Sequence, residues 1–213
     1  MTQQLLDHLT SGIAELGLTL PAEVPEKLID YLGLLSHWNR AYNLTAVRDP
    51  ADMVTKHLLD SLAVLPYLGK AKSLIDVGTG AGLPGVVLAC CRPEMRIVLN
   101  DCVGKKTRFL TQIKLALGLK NVTVVNQRIE DYRPTIDGRA IYFDLVIARA
   151  WAASDIIVAS TRHLHYADTR ILVMQGRRDD ALGVAGYQVV QSHTLNVPGL
   201  AAQRHLLEIT QTQ

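Results

Sequence analysis

Little in this chain of 213 residues is extreme, and each scarcity excludes a class. There are only three cysteines, Cys90, Cys91 and Cys102. An odd, clustered trio builds neither a disulfide framework nor a four-ligand zinc site. Aromatic residues are 5% of the chain, and 8 prolines with 15 glycines fall short of a collagen-like or low-complexity composition. No apolar run nears the roughly 18 residues that cross a bilayer. The first eight residues, Met1–His8, lack a basic start followed by an apolar core. A cytoplasmic protein is therefore expected, with no membrane and no metal; a monomer is expected too, though nothing in the composition fixes that. Charge is nearly balanced, 22 basic against 20 acidic residues for a net +2, so a nucleic-acid partner must be read from a local patch. What remains is an ordinary globular chain, 48% hydrophobic and long enough for one to two domains.

The hydrophobic period changes near Lys72. Before it, Leu5, Leu9, Ile13 and Leu16 recur at helical spacing, as do Leu28, Leu32, Leu35 and Trp38, with Pro25 suited to a first helical turn. Leu58, Leu62 and Leu65 repeat the pattern. Residues 1–71 are read as a helical N-terminal extension and 72–213 as an α/β domain. After Lys72, strands are expected at 73–77, 95–99, 122–126, 143–148 and 170–174, alternating with helices over 83–91, 103–118 and 156–164. That rhythm indicates parallel βαβ units. Two last runs, 187–197 and 204–210, have no helix between them and should pair antiparallel.

Asp76-Val-Gly78-Thr-Gly80-Ala-Gly82-Leu-Pro84-Gly85 follows the first strand and opens a helix. Glycines there let a ligand lie against bare backbone at the carboxyl edge of a parallel sheet. Asp101, after the second strand, is placed to accept hydrogen bonds from ribose hydroxyls. Gly80-x-Gly82-x-x-Gly85 matches the dinucleotide fingerprint, so an NAD-dependent oxidoreductase is one reading. S-adenosyl-L-methionine is the other. It is favoured by the early Gly78, by the antiparallel ending and by the lack of a second half long enough to hold a nicotinamide.

The glycine loop resembles the signature of the bacterial 16S rRNA (guanine-N7)-methyltransferases, the RsmG family, also called glucose-inhibited division protein B. Trp38-Asn-Arg-Ala-Tyr-Asn-Leu-Thr45, His57-Leu-Leu-Asp-Ser61, Asp101–Leu110, Arg128-Ile-Glu130, Ala148-Arg-Ala150 and Arg204-His-Leu206 are similar to that family's other motifs, in order. The resemblance implies a class I methyltransferase (Rossmann-like) fold: a seven-stranded, mostly parallel sheet with one antiparallel strand and a helical N-terminal cap. It implies methyl transfer to N7 of a guanine near the decoding region of small-subunit rRNA, on naked 16S rRNA or the 30S particle. Carried over by position, Gly78, Gly80, Leu83, Asp101, Ile129, Glu130 and Arg149 are expected at the cofactor. Gln175 stands where the family has lysine, removing a charge from an RNA contact, with Arg177 and Arg178 close enough to compensate. A non-catalytic ribosome-assembly factor of the same fold is the further alternative.

Guanine N7 carries an in-plane lone pair, so no general base is required and catalysis can rest on positioning. No catalytic residue is nominated; His57 and His205 are read as structural or RNA-facing, and Arg149 as an organiser of its loop or one half of a salt bridge. Phosphate contacts are assigned to Lys105, Lys106, Arg108, Arg177, Arg178 and Arg204, with Lys114 on the same helix. Lys105 and Lys106 are expected to serve RNA and not the cofactor. Trp38 and Tyr42 are expected to pack, and Cys90 and Cys91 to be buried.

Overall fold

In a computed structural model describing residues 2–212, the helical part comes first. It comprises α1 (Thr2–Glu15), α2 (Val24–Tyr42), α3 (Pro50–Met53), a π-helical stretch (Val54–Leu59) and α4 (Asp60–Leu62). Asp49 caps α3 by accepting the amides of Ala51 and Asp52. The 3-10 turn Leu65–Leu68 then leads into the sheet. β1 (Ser73–Val77), α5 (Gly85–Cys91), β2 (Arg96–Asn100), α6 (Gly104–Ala116) and β3 (Val122–Val125) form the first βαβ series. After a small exposed hairpin, β4 (Thr135–Ile136) with β5 (Arg139–Ala140), come β6 (Leu145–Arg149), α7 (Ser154–Thr161), β7 (Arg170–Gln175), β8 (Tyr187–Leu195) and β9 (Arg204–Gln211).

The seven-stranded sheet has the order β3-β2-β1-β6-β7-β9-β8. Its first five strands are parallel, and β9 runs antiparallel to both neighbours. This is the expected sheet, with each expected strand present. Strand periodicity builds its two faces. Leu74, Ile97, Leu99, Leu145, Ile147 and Leu172 face one buried cluster, while Ile75, Val77, Val98, Val146 and Ile171 face another. The first cluster is continuous with Leu9, Leu28, Leu35 and Leu58 of the N-terminal helices, and α7 contributes Ile157 and Val158 to the second.

Two local features depart from the expected outline. The stretch around Leu58 is not regular α-helix: it widens to a π turn over Val54–Leu59, where the Lys56 carbonyl accepts from Arg149 Nη1 at 3.2 Å. The β4–β5 hairpin has no counterpart in the sequence reading, because both of its short strands are exposed and carry no apolar alternation. Among the described residues, no helix is long and apolar enough to cross a membrane.

Candidate functional site

The strand order reverses beside β1, which pairs with β2 on one side and β6 on the other. The register sets what meets there. Val77 pairs with Asn100 and with Ala148, so Gly78, Asp101 and Arg149 emerge together at the carboxyl edge. Such a switch point is where doubly wound sheets hold ligands.

The loop after β1 is fixed from within by Asp76. Its Oδ2 accepts from Thr79 Oγ1 at 2.5 Å and from the Gly85 amide at 2.7 Å. Gly85 has to be glycine, since a Cβ there would lie 2.3 Å from Leu99 and 2.7 Å from that carboxylate. Burial, opposed by these hydrogen bonds, pushes the Asp76 carboxyl up to about 7. Tyr31, fully buried on α2, donates its hydroxyl to the Ala81 carbonyl at 2.8 Å. The helical extension thus grips the glycine loop directly.

Asp101 reaches the same loop from β2. Its Oδ2 accepts from the Gly80 amide at 3.0 Å and its Oδ1 from the Val103 amide at 2.9 Å. Lys106 Nζ completes the arrangement at 3.2 Å from Oδ2. Here the geometry differs from the expectation for the basic helix. Lys105 and Arg108 are exposed, but helical phase turns Lys106 inward onto Asp101, so the two lysines have separate environments. A cavity of about 300 Å³ opens beside them, lined by Gly78, Asp101, Lys106, Ile129, Glu130, Ala150 and Trp151 among others. Ile129 is buried and Glu130 exposed, its carboxylate 3.6 Å from Arg128 Nε.

A larger cavity, about 740 Å³, adjoins it and shares Gly78, Lys106 and Ala150. Thr45, Lys56, His57, Asp60, Gly80, Leu83, Arg149, Gln175, Arg177 and Arg204 contribute to its walls. At its floor the carboxylate of Asp60, 3% exposed, lies between two arginines. Arg149 Nη1 is 3.0 Å from Oδ2 and Arg204 Nε is 3.2 Å from Oδ1. The salt-bridge reading of Arg149 holds, and the partner is an acid from the helical extension. Arg204, expected on RNA, spends its Nε on the same acid while still lining the cavity. Leu83 lines this second cavity, not the first. His57 is buried and bonds Thr45 Oγ1 through Nε2 at 2.8 Å; burial and the nearby Arg149 charge lower its pKa, so the ring stays neutral near pH 7. His205 is also buried.

Gln175 exchanges two hydrogen bonds with the Asp179 backbone, at 3.0 and 3.1 Å. It thereby shapes the loop carrying Arg177 and Arg178. Arg177 lines the cavity, whereas Arg178 is exposed and bonds Asp180 at 2.7 Å. Trp38 stacks on Tyr42 at 5.2 Å and contacts Phe109 at 5.7 Å, which is the packing role expected. Cys90 and Cys91 are buried, and burial pushes both thiols up to about 12. Sequence reasoning gave no role to Tyr31, Asp60 or Trp151. Asp60 did leave a trace, as an acid set among Leu58, Leu59 and Leu62.

Residues 25–207 match the family model for rRNA small subunit methyltransferase G. A protein of Methylobacillus flagellatus named "Ribosomal RNA small subunit methyltransferase G" is 50% identical over 200 residues, covering 93% of this chain and 95% of its own. One of the same name from Pseudomonas aeruginosa is 46% identical over 215 residues, covering 100% and 98%. Among solved structures, a mutant of MtNAS in complex with S-adenosylmethionine superposes with a TM-score of 0.58 at 15% identity, over 100% of this chain and 97% of that one. Magnesium protoporphyrin IX methyltransferase from Synechocystis PCC 6803 with bound SAM gives 0.53 at 15% identity, over 86% and 98%. At these identities the solved structures speak to the fold alone.

Proposed function

The chain belongs to the rRNA small subunit methyltransferase G family, and from that membership we propose an S-adenosyl-L-methionine-dependent methyltransferase acting on N7 of a guanine in 16S rRNA. Membership overturns the oxidoreductase reading of Gly80-x-Gly82-x-x-Gly85. The carrying observation is the pairing of two cavities along one sheet edge: a small one around Asp101 and Gly78, and a larger one around Arg149, Arg177 and Arg204.

The small cavity fits the cofactor. Asp101 supplies a buried carboxylate for a ribose diol, already oriented by the Gly80 and Val103 amides. Gly78 offers bare backbone to the methionine part, and Ile129 with Glu130 flanks the adenine. When bound, the cofactor supplies a methyl group on a sulfonium, an activated leaving group. The protein's own task is then to align the acceptor and exclude water.

The larger cavity takes the guanosine and its phosphates. Arg177 and the exposed edges of Arg149 and Arg204 provide positive charge, while Lys105 and Arg108 extend it along α6. Arg178 lies at the rim. Because N7 of paired A-form RNA lies in a deep, narrow groove, the target guanine comes from a loop or distorted helix. The methylated base is cationic. Asp60, held between two arginines, keeps the floor from becoming purely positive. Residues 1–71 supply part of this cavity, and 72–213 the cofactor side. The enzyme works in the cytoplasm, as a monomer on rRNA or the 30S particle.

The test is transfer of a labelled methyl group from S-adenosylmethionine to 16S rRNA or 30S particles lacking the modification. Incorporation into RNA supports the proposal. Cofactor binding without transfer to either substrate supports a non-catalytic assembly factor.

A further inference from the structure

Trp151 is the aromatic side chain among the described residues lining the smaller cavity. Its indole lies directly on the glycine loop: a Cβ built on Gly78 would meet Trp151 Cδ1 at 2.3 Å and Cγ at 2.4 Å. No other atom separates ring from backbone at that distance. The cofactor reading lays the methionine part against the Gly78 backbone, and the inference rests on that reading, taken at this face. Ring and ligand cannot occupy one volume.

The backbone that carries the indole is itself unusual. Ala150 has φ +51°, in the left-handed region that a residue with a Cβ rarely adopts. The segment after β6 is also the partition between the two cavities. Ala150 lines both, Trp151 the smaller, and Ala152 and Ala153 the larger. A side chain leaving the smaller cavity about this segment has the larger one as its neighbour.

We propose that Trp151 is a positioning residue that fills the methionine subsite in the free protein and, displaced by the cofactor, turns to the acceptor cavity, where its ring offers a stacking face to the target guanine. Cofactor binding then prepares the guanine site, which sets an order of addition. Stacking between an aromatic ring and a base strengthens binding by about 5- to 150-fold, ample for such coupling.

The chain has two tryptophans, Trp38 and Trp151, so Trp38→Phe leaves Trp151 as the sole indole reporter. S-adenosylhomocysteine is titrated into this variant while fluorescence emission and acrylamide quenching are followed, with calorimetry alongside on the wild type. The expected result is a saturable spectral change whose midpoint matches the calorimetric constant. Heat without any change in Trp151 emission overturns the displacement. Absence of heat in the wild type overturns the cofactor reading, and the inference with it. If Trp38→Phe does not fold, the difference between wild type and Trp151→Phe reports the same signal. Trp151→Ala supplies the second arm. With no ring to displace, S-adenosylhomocysteine should bind tighter, about tenfold if the filled state outweighs the open one ten to one. The KM for RNA should rise at the same time. Weaker cofactor binding with unchanged RNA KM would make the indole part of the cofactor wall and refute the proposal.

Discussion

Asp60→Asn isolates the acid that joins the helical extension to the sheet. The wild-type carboxylate, with its side chain 4% exposed, answers two guanidinium groups at 3.0 and 3.2 Å. An amide of the same shape can accept from one arginine but turns an N–H toward the other. Breaking a buried ion pair by removing one partner costs about 3–5 kcal/mol. Arg149 and Arg204 are 20% and 26% exposed at their side chains, so water relieves part of the stranded charge and about 2–3 kcal/mol is expected. For a chain of this size that lowers Tm by about 5–10 °C. Thermal unfolding followed by circular dichroism reads this directly. The triple change Asp60→Leu, Arg149→Met and Arg204→Met removes the charges together and should lie closer to wild type than the single change does. A single variant melting within about 1 °C of wild type would refute the reasoning. So would a triple variant that falls further than the single one.

Tyr31→Phe leaves the Ala81 carbonyl without its donor, at a cost of about 1–3 kcal/mol, and should loosen the glycine loop; urea unfolding and S-adenosylhomocysteine titration should both register it. Asp101→Ala removes the carboxylate proposed to accept from the ribose diol, a loss of about 1.5–3 kcal/mol, so calorimetry should show cofactor affinity falling about tenfold or more in a folded protein. Lys105→Ala and Arg108→Ala should each flatten the salt dependence of RNA binding by about one unit of slope, while Lys106→Ala, through its pair with Asp101, should change cofactor affinity as well. The Asp76 carboxyl is raised to about 7 when folded against 3.8 unfolded, so the folded state binds the extra proton. Its contribution is full below the unfolded value and declines as pH rises through the folded one. Denaturant titrations should therefore show Asp76→Asn gaining stability relative to wild type between pH 5 and pH 8.

The parts of the fold legible in the sequence are those written in local periods. β1 and β2 are short apolar runs ended by glycine or an acid, and the parallel register brings Gly78 and Asp101 together. The antiparallel ending followed from two strand patterns with no room for a helix. The Asp60–Arg149–Arg204 cluster was not legible, because its members come from the extension, β6 and β9 and meet only through tertiary packing. The pairing of Lys106 was not legible for a smaller reason: one residue along α6 is a 100° turn, enough to separate an exposed lysine from one that reaches Asp101. The bond from Tyr31 to Ala81 was hidden likewise, since a tyrosine within an apolar helical stripe looks like core until the loop beside it is placed.

The most direct test of the central claim is the state of one RNA base. 16S rRNA from cells lacking this protein is cleaved chemically at 7-methylguanosine, before and after incubation with purified protein and S-adenosylmethionine. The expected result is no cleavage near the decoding region before incubation and a single new cut afterwards, absent with Asp101→Ala. Unchanged cleavage across all samples, with the protein folded and cofactor bound, would contradict the account.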